Sequence, residues 1–91
     1  MPWQIALKPR AKRELAKLDR PVQQRLVAFM ARLTEHDDPR ELGRALQGPH
    51  QLYRYRVGDY RLIAQIQDQT LLVLVVKIGH RREVYRDLPR P

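Results

Sequence analysis

Arginines at positions 54, 56 and 61 are spaced so that a β-hairpin would gather them on one face of a sheet. Arg54 and Arg56 are two residues apart, and alternate residues of a strand point to the same side. A two-residue turn at Gly58-Asp59 would place Arg61 directly opposite Arg56. Like charges opposed across strands cost about 0.2–1 kcal/mol per pair, which favours a bound anion such as phosphate. The alternative is a set of solvated arginines whose stems cover the sheet.

The segment that follows the last predicted strand, HRREVYR at 80–86, adds further groups of the same chemistry. Arg81 could hold a phosphate, the imidazole of His80 could move a proton near neutral pH, and Tyr85 could stack on an unpaired base. A solvated basic tail is the other interpretation of this string. Together with the three arginines, the segment predicts a site for nucleic acid.

Two helices joined as a hairpin are predicted over residues 9–35. Proline suits the first turn of a helix, where Pro9 and Pro21 would lie, and Asp19 is a candidate N-cap of the second helix. Apolar residues recur at helical spacing in both halves. They are Leu7, Ala11, Leu15 and Leu18, then Val22, Leu26, Phe29, Met30 and Leu33.

Strands are predicted at 3–7, 52–57, 60–66 and 71–79, the last as a continuous apolar run typical of a strand that is covered on both faces. The polar segment 36–51 is rich in Pro and Gly and predicts a loop, with one helical turn around Glu41 to Leu46.

The fold class that follows is α+β, in the order β-α-α-β-β-β, with the helical hairpin packed on one face of a twisted antiparallel sheet. The other face is left partly open for a ligand. We expect residues 1–91 to form a single domain, because a chain this short supports one core.

Composition narrows the function further. Eighteen Lys and Arg against ten Asp and Glu give a formal net charge of +8, and only four of the cations are lysines. The planar fork of arginine matches phosphate oxygens in a bidentate manner, so an anionic partner is expected. The chain has no cysteine, which excludes a thiol nucleophile. The sequence has neither a signal-peptide pattern nor an apolar run long enough to cross a membrane, and we expect a cytoplasmic protein with no membrane association.

At this level of detail the sequence resembles the RelE/ParE superfamily of toxins, and its RelE branch in particular. The resemblance covers nearly the whole chain. It includes LYRYRVGDYRLIAQI at 52–66, VVKIGHRREVYR at 75–86 and the L-G-R-x-L-x-G loop at Leu42 to Gly48. A RelE-like chain is expected to have a fold similar to that of microbial ribonucleases, to enter the ribosomal decoding site and to cut the bound messenger.

The resemblance also implies a reaction and its residues. The ribose 2′-hydroxyl attacks the adjacent phosphate and leaves a 2′,3′-cyclic phosphate and a free 5′-hydroxyl. The family's basic residues before the hairpin turn fall on Arg54 and Arg56, and the one just after the turn falls on Arg61. The tail arginine of the family falls on Arg81 and its stacking tyrosine on Tyr85.

The chain departs from the family at two of these positions, because well-studied members have lysines where it has Arg54 and Arg56. Arginine stays protonated at physiological pH and cannot accept a proton, so both residues can only bind phosphate and stabilise the charge of the transition state. The base must then come from another residue, from the ribosome or from the RNA. His80 is the first candidate and Glu83 the second, while Tyr85 would stack or relay a proton.

Two other functions remain open at this point. A ParE-like protein would inhibit DNA gyrase without cleaving a bond, although that branch commonly lacks the tail set that Arg81 and Tyr85 form here. A basic RNA-binding module, or a toxin that has lost its activity, is the third possibility. The family implies a cognate RelB-like antitoxin, together with the ribosome and mRNA as partners. We expect no cofactor, and the spacing of the three histidines fits no common metal site.

Overall fold

The computed structural model describes residues 3–48 and 51–84, which form two helices and a five-stranded sheet. The elements are β1 (Gln4–Leu7), α1 (Pro9–Ala16), α2 (Arg20–Glu35), a 3₁₀ turn (Pro39–Leu42), β2 (Arg44–Ala45), β3 (Leu52–Val57), β4 (Tyr60–Gln67) and β5 (Leu72–His80). The α+β class and the order of the main elements that the sequence predicts are confirmed. No helix in the described ranges is long and apolar enough to cross a membrane.

The sheet has the strand order β1-β5-β4-β3-β2 and is antiparallel except at one pair. β1 runs parallel to β5, with Ile5 opposite Val73 and Leu7 opposite Val75. Because the whole helical hairpin and three strands separate β1 from β5 in the chain, no turn between the two dictates an antiparallel pairing. β1 ends at Leu7, so it does not pair with the last residues of β5. There a side chain supplies a hydrogen-bond acceptor, since the backbone N–H of Ile78 donates to the Glu14 carboxylate at 2.8 Å.

The two helices pack their apolar stripes on one face of the sheet, which we call the helix face. Leu26 and Leu33 of α2 are fully buried against strand residues such as Leu62 and Val75. Asp19 occupies the N-cap position of α2 as predicted, but its side chain makes no capping hydrogen bond.

The hairpin of β3 and β4 has the predicted two-residue turn and register. Val57 pairs with Tyr60, and Arg56 pairs with Arg61. Gly58 has φ +60, a left-handed backbone that favours glycine at the first central position of a hairpin turn. A one-residue change in turn length would have moved every side chain of β4 to the other face.

Residues 36–48, which follow α2, contain more regular structure than the sequence indicates. Their helical turn covers Pro39–Leu42 rather than the predicted stretch around Glu41 to Leu46, because the Asp38 carboxylate accepts the Arg40 N–H at 3.1 Å and starts the turn early. The residues that follow form β2, a two-residue strand that pairs with β3 and was not predicted.

The face of the sheet opposite the helices has a small apolar cluster of its own. Leu52, Ile63 and Val84 are buried there, with Leu46 and Val76 packed against them. Val84 follows β5 by one turn, since its N–H donates to the His80 carbonyl at 3.0 Å. This face is therefore covered at its centre and open around the arginines. We call it the arginine face.

Candidate functional site

Two cross-strand pairs place four arginines on the arginine face. Arg56 of β3 lies directly opposite Arg61 of β4, as the sequence predicts. Arg44 of β2 lies directly opposite Arg54 of β3. Residues that face each other across antiparallel strands project to the same side of the sheet, so three neighbouring strands contribute guanidinium groups to one surface.

Sequence reasoning missed Arg44. A two-residue strand is too short to show any periodicity, and its pairing is set by tertiary contacts rather than by local sequence. The available signal was the L-G-R-x-L-x-G motif, in which Arg44 is the arginine.

Acidic side chains lie away from three of these arginines. Within residues 3–48 and 51–84, no carboxylate lies within ion-pair distance of Arg44, Arg56 or Arg61. Arg44 and Arg56 are exposed, whereas Arg54 is half-buried. Two opposed like-charge pairs would each weaken the sheet in water, and an anion would relieve the repulsion in both.

The hairpin turn brings a second group of the predicted site residues together. The Nη1 of Arg61 donates to the carbonyl oxygens of Gly58 and Tyr60, each at 2.9 Å. The backbone N–H of Arg81 donates to the Asp59 carbonyl at 2.9 Å, and its Nη1 lies 3.9 Å from the Asp59 carboxylate. Arg61 and Arg81, which are 20 positions apart in sequence, thus contact the same turn.

The predicted base, His80, lies on the other side of the sheet. It pairs with Tyr60, whose other partner Val57 packs against the helix-face core. The ring of His80 meets the edge of the Tyr60 ring at a centroid distance of 5.8 Å. His80 therefore does not join Arg56 and Arg61, because their side chains alternate with those of Tyr60 and Val57 along the strands.

His80 lines a groove of about 460 Å³ between the end of β5 and α1. Glu83, the second candidate base, lines the same groove and is exposed. Arg10 and Glu14 of α1 form an ion pair at its wall, with Nε and Oε2 3.3 Å apart. Tyr85 lies outside the described residues, and its position relative to the arginines stays a prediction.

A second groove, of about 480 Å³, opens on the arginine face beside β2. Three arginines line it, together with the end of the 3₁₀ turn; the lining residues are Glu41, Leu42, Gly43, Arg44, Arg54 and Arg56. A shallow basic groove of this kind can hold an extended anionic chain, but it offers no enclosed pocket for a small molecule. Among the described residues no group of His, Asp and Glu could hold a metal ion.

The groove's geometry depends on Gly43. A Cβ at this position would lie 2.6 Å from the Arg54 carbonyl oxygen and 2.6 Å from Cε1 of Tyr55. Tyr55 is fully buried, and its hydroxyl donates to the Pro39 carbonyl at 2.9 Å. Burial raises the pKa of the Tyr55 hydroxyl, so it remains a hydrogen-bond donor at any physiological pH.

Comparison with known proteins agrees with this architecture. A family model described as the ParE toxin of the type II toxin–antitoxin system parDE matches residues 5–85. Toxin RelG of Mycobacterium tuberculosis is 30% identical over 93 aligned positions, covering 94% of this chain and 99% of that protein.

Solved structures agree as well. The RelBE2 toxin–antitoxin complex from M. tuberculosis contains a chain with a TM-score of 0.79 at 26% identity, covering 89% of this chain and all of that one. The intact RelBE complex of Escherichia coli gives a TM-score of 0.74 at 27% identity, covering 86% of this chain and 95% of its counterpart. The chain is thus a toxin of the type II toxin–antitoxin systems and belongs to the RelE-type branch of the RelE/ParE superfamily.

Proposed function

We propose that this toxin is a ribosome-dependent endoribonuclease that cleaves messenger RNA during translation. The observation that supports this most is the convergence of Arg54, Arg56 and Arg61 on one open face, with Arg81 anchored to the same hairpin turn as Arg61. Arg56 and Arg61, which have no carboxylate within ion-pair distance among the described residues, suit a polyanion better than a protein surface of mixed charge.

In the proposed reaction the ribose 2′-hydroxyl attacks the adjacent phosphorus while the bond to the 5′-oxygen of the next nucleotide breaks. The products are a 2′,3′-cyclic phosphate and a 5′-hydroxyl, so one proton leaves the attacking oxygen and one reaches the leaving oxygen. Arg56 and Arg61 would bind the non-bridging oxygens and stabilise the charge that develops on them. The guanidinium group of Arg81, which lies beside the hairpin turn, would bind the same phosphate.

The proton acceptor is not one of these arginines, since guanidinium groups stay protonated. His80 faces α1 rather than the arginines, so we do not assign it this role. We assign proton transfer to Tyr85 or to a group of the ribosome or the RNA. Tyr85 would in addition stack on a base next to the cleaved bond.

A toxin of this family requires neutralisation, and we propose a cognate RelB-like antitoxin as its protein partner. The chain resembles the toxin of the RelBE complexes over most of its length. Its net charge of +8 would attract an acidic antitoxin segment.

Primer extension on a translated messenger tests the proposal directly. Cleavage should appear at defined codons when purified toxin is added to a translating extract, and the same messenger without ribosomes should remain intact. The ends should be a 2′,3′-cyclic phosphate and a 5′-hydroxyl. An intact messenger in both reactions would contradict the proposal.

Inhibition of DNA gyrase is the second candidate, because the matching family model is described as a ParE toxin. A supercoiling assay with purified gyrase separates the two functions. Loss of supercoiling together with an intact translated messenger would favour the ParE-like activity.

A further inference from the structure

We propose that Arg44 and the groove beside β2 bind a backbone phosphate of the RNA, and that this phosphate neighbours the phosphate at the cleaved bond. This inference rests on the proposed function. It extends the RNA-binding site from β3 and β4 to the neighbouring strand β2. It gives Arg44 a role in binding that is separate from the chemical step.

The strand register places Arg44 in this groove. Arg44 lies directly opposite Arg54, and both line the groove of about 480 Å³ together with Arg56. Arg44 is exposed, and no carboxylate among the described residues pairs with it. Glu41 is the one acidic residue in the lining, and its Oε1 lies 3.6 Å from Nδ1 of His36.

Arg44 and Arg61 are well separated on the sheet. Neighbouring strands lie about 4.8 Å apart and residues about 3.4 Å apart along a strand, so the Cα atoms of Arg44 and Arg61 are roughly 12 Å apart. Side chains stand roughly perpendicular to a sheet. The two guanidinium groups would therefore meet different phosphates of an extended strand.

The fold also holds the backbone of Arg44 in place. Gly43 precedes it and packs so closely on Tyr55 and the Arg54 carbonyl that no Cβ fits. On its other side the N–H of Leu46 donates to the Leu52 carbonyl at 2.9 Å. A binding residue with a fixed backbone loses less entropy when its ligand arrives.

The test compares Arg44→Ala with Arg13→Ala, which removes the same charge from α1 on the helix side of the sheet. The first measurement is binding to a short single-stranded RNA that is 2′-O-methylated at every ribose, so that the attacking hydroxyl is blocked. For the wild type, the logarithm of the binding constant should fall linearly with the logarithm of the salt concentration, with a slope of about −0.7 per phosphate contact. Arg44→Ala should lower the magnitude of that slope by about 0.7, and Arg13→Ala should change it much less.

The second measurement is cleavage of messenger on programmed ribosomes. Arg44→Ala should raise KM about tenfold while kcat stays within about twofold, since an interaction made equally in ground and transition states acts on KM. Arg44→Lys should keep the salt slope because the charge remains, and should recover only part of the affinity. Thermal melting of each variant checks that the fold is unchanged.

An unchanged salt slope for Arg44→Ala would overturn the inference, whatever happens to KM. Loss of affinity for an acidic antitoxin peptide with an unchanged RNA slope would overturn it too, and would assign the groove to a protein ligand. If the wild type cleaves no messenger but Arg44→Ala still lowers the slope, the RNA contact stands and the proposed reaction fails.

Discussion

At the scale of single residues, the choice of arginine over lysine limits the chemistry of the arginine face. Guanidinium groups bind phosphate in two-point contacts but do not exchange protons at physiological pH. In the proposed reaction, Arg54 and Arg56 would thus supply charge and geometry alone. The pH dependence of cleavage should come from other groups.

Replacing Arg61 or Arg81 by alanine should reduce kcat for messenger cleavage by about 10²–10³, the usual cost of removing one charge-stabilising donor. Both side chains contact the hairpin turn from its surface, so the fold should survive. Single-turnover cleavage on programmed ribosomes measures the effect, with Arg13→Ala as the charge-matched control. Cleavage by both variants at the wild-type rate would place the active site elsewhere.

His80→Gln should leave cleavage within about threefold of the wild type at every pH. Loss of a general base that acts in the transition state typically costs 10²–10⁴, and His80 faces α1 instead of the arginines. The pH–rate profile between pH 5 and pH 8 provides the measurement. A large loss that follows the titration of an imidazole would return His80 to the mechanism.

The sequence was sufficient to pair Arg56 with Arg61, because a two-residue turn fixes the register of its hairpin. It also grouped Arg81 with these arginines through the family resemblance. The sequence was insufficient to predict which face of the sheet His80 occupies. That face depends on the alternation of side chains along β5, and the residues 80–86 alone do not reveal where β5 ends. Arg44 was missed because its position depends on a tertiary pairing with Arg54, and the L-G-R-x-L-x-G motif was its only signal in the sequence.

At the scale of elements, the loop before β3 is organised by the contact between Gly43 and Tyr55. Gly43 allows β2 to approach the Tyr55 ring, and the Tyr55 hydroxyl binds the Pro39 carbonyl at the start of the 3₁₀ turn. This small assembly positions Arg44. Residues 39–45 are therefore held against the sheet.

Gly43→Ala should lower the free energy of unfolding by about 1–3 kcal/mol, the usual range for forcing a methyl group into a packed site. Urea denaturation monitored by circular dichroism would measure it. Gly48→Ala is a poor control because Gly48 has φ +123, so Ala45→Gly on the exposed edge strand serves better. Wild-type stability of Gly43→Ala would mean that the tight approach relaxes at no cost.

Tyr55→Phe should cost about 1–3 kcal/mol, because it removes one hydrogen bond and leaves the Pro39 carbonyl, a buried acceptor, without its partner. The same denaturation experiment applies. Tyr53→Phe, on the neighbouring half-buried position of β3, is the matched control. Equal stability of the two variants would contradict the structural role of the Tyr55 hydroxyl.

The helices and long strands were predictable because each has enough residues to show its own period. The parallel pairing of β1 with β5 was not, since it is settled by how the completed helical hairpin returns the chain to the sheet. The 3₁₀ turn starts at Pro39 for a local reason, the Asp38 carboxylate, which a search for helical periodicity overlooks.

At the scale of the whole molecule, one cation joins segments that are distant in sequence. Arg40 binds the carboxylates of Asp38 and Asp68, and its guanidinium lies 5.8 Å from the centre of the Tyr53 ring. The pKa of Arg40 is raised, first by its hydrogen bond to Asp68. That bond in turn holds the pKa of the exposed Asp68 below its ordinary value.

This ion pair predicts a pH-dependent contribution to stability. A depressed carboxyl pKa stabilises the fold above the unfolded value of about 3.9, and the contribution disappears as the pH falls through the folded value. Asp68→Asn should therefore be less stable than the wild type at pH 7, and the difference should shrink to nothing at low pH. Because Asp68 is exposed, the effect at pH 7 should be small.

Urea unfolding of both proteins between pH 7 and pH 2 measures this difference. Asp37→Asn, an exposed carboxylate outside the described ion pairs, is the control and should show no such convergence. A gap between Asp68→Asn and the wild type that does not narrow as the pH falls from 7 to 2 would contradict the assignment.

The turn at Gly58-Asp59 has a consequence for how the protein responds to multiple substitutions. The guanidinium group of Arg61 donates to carbonyl oxygens at this turn, and the backbone N–H of Arg81 donates to the carbonyl of Asp59 in the same turn. Each arginine is therefore oriented by a peptide segment that the other arginine also contacts. Residues that share a support are energetically coupled and deviate from additivity by about 0.5–3 kcal/mol. In a double-mutant cycle, the pair of alanine substitutions should cost less than the sum of the two single effects.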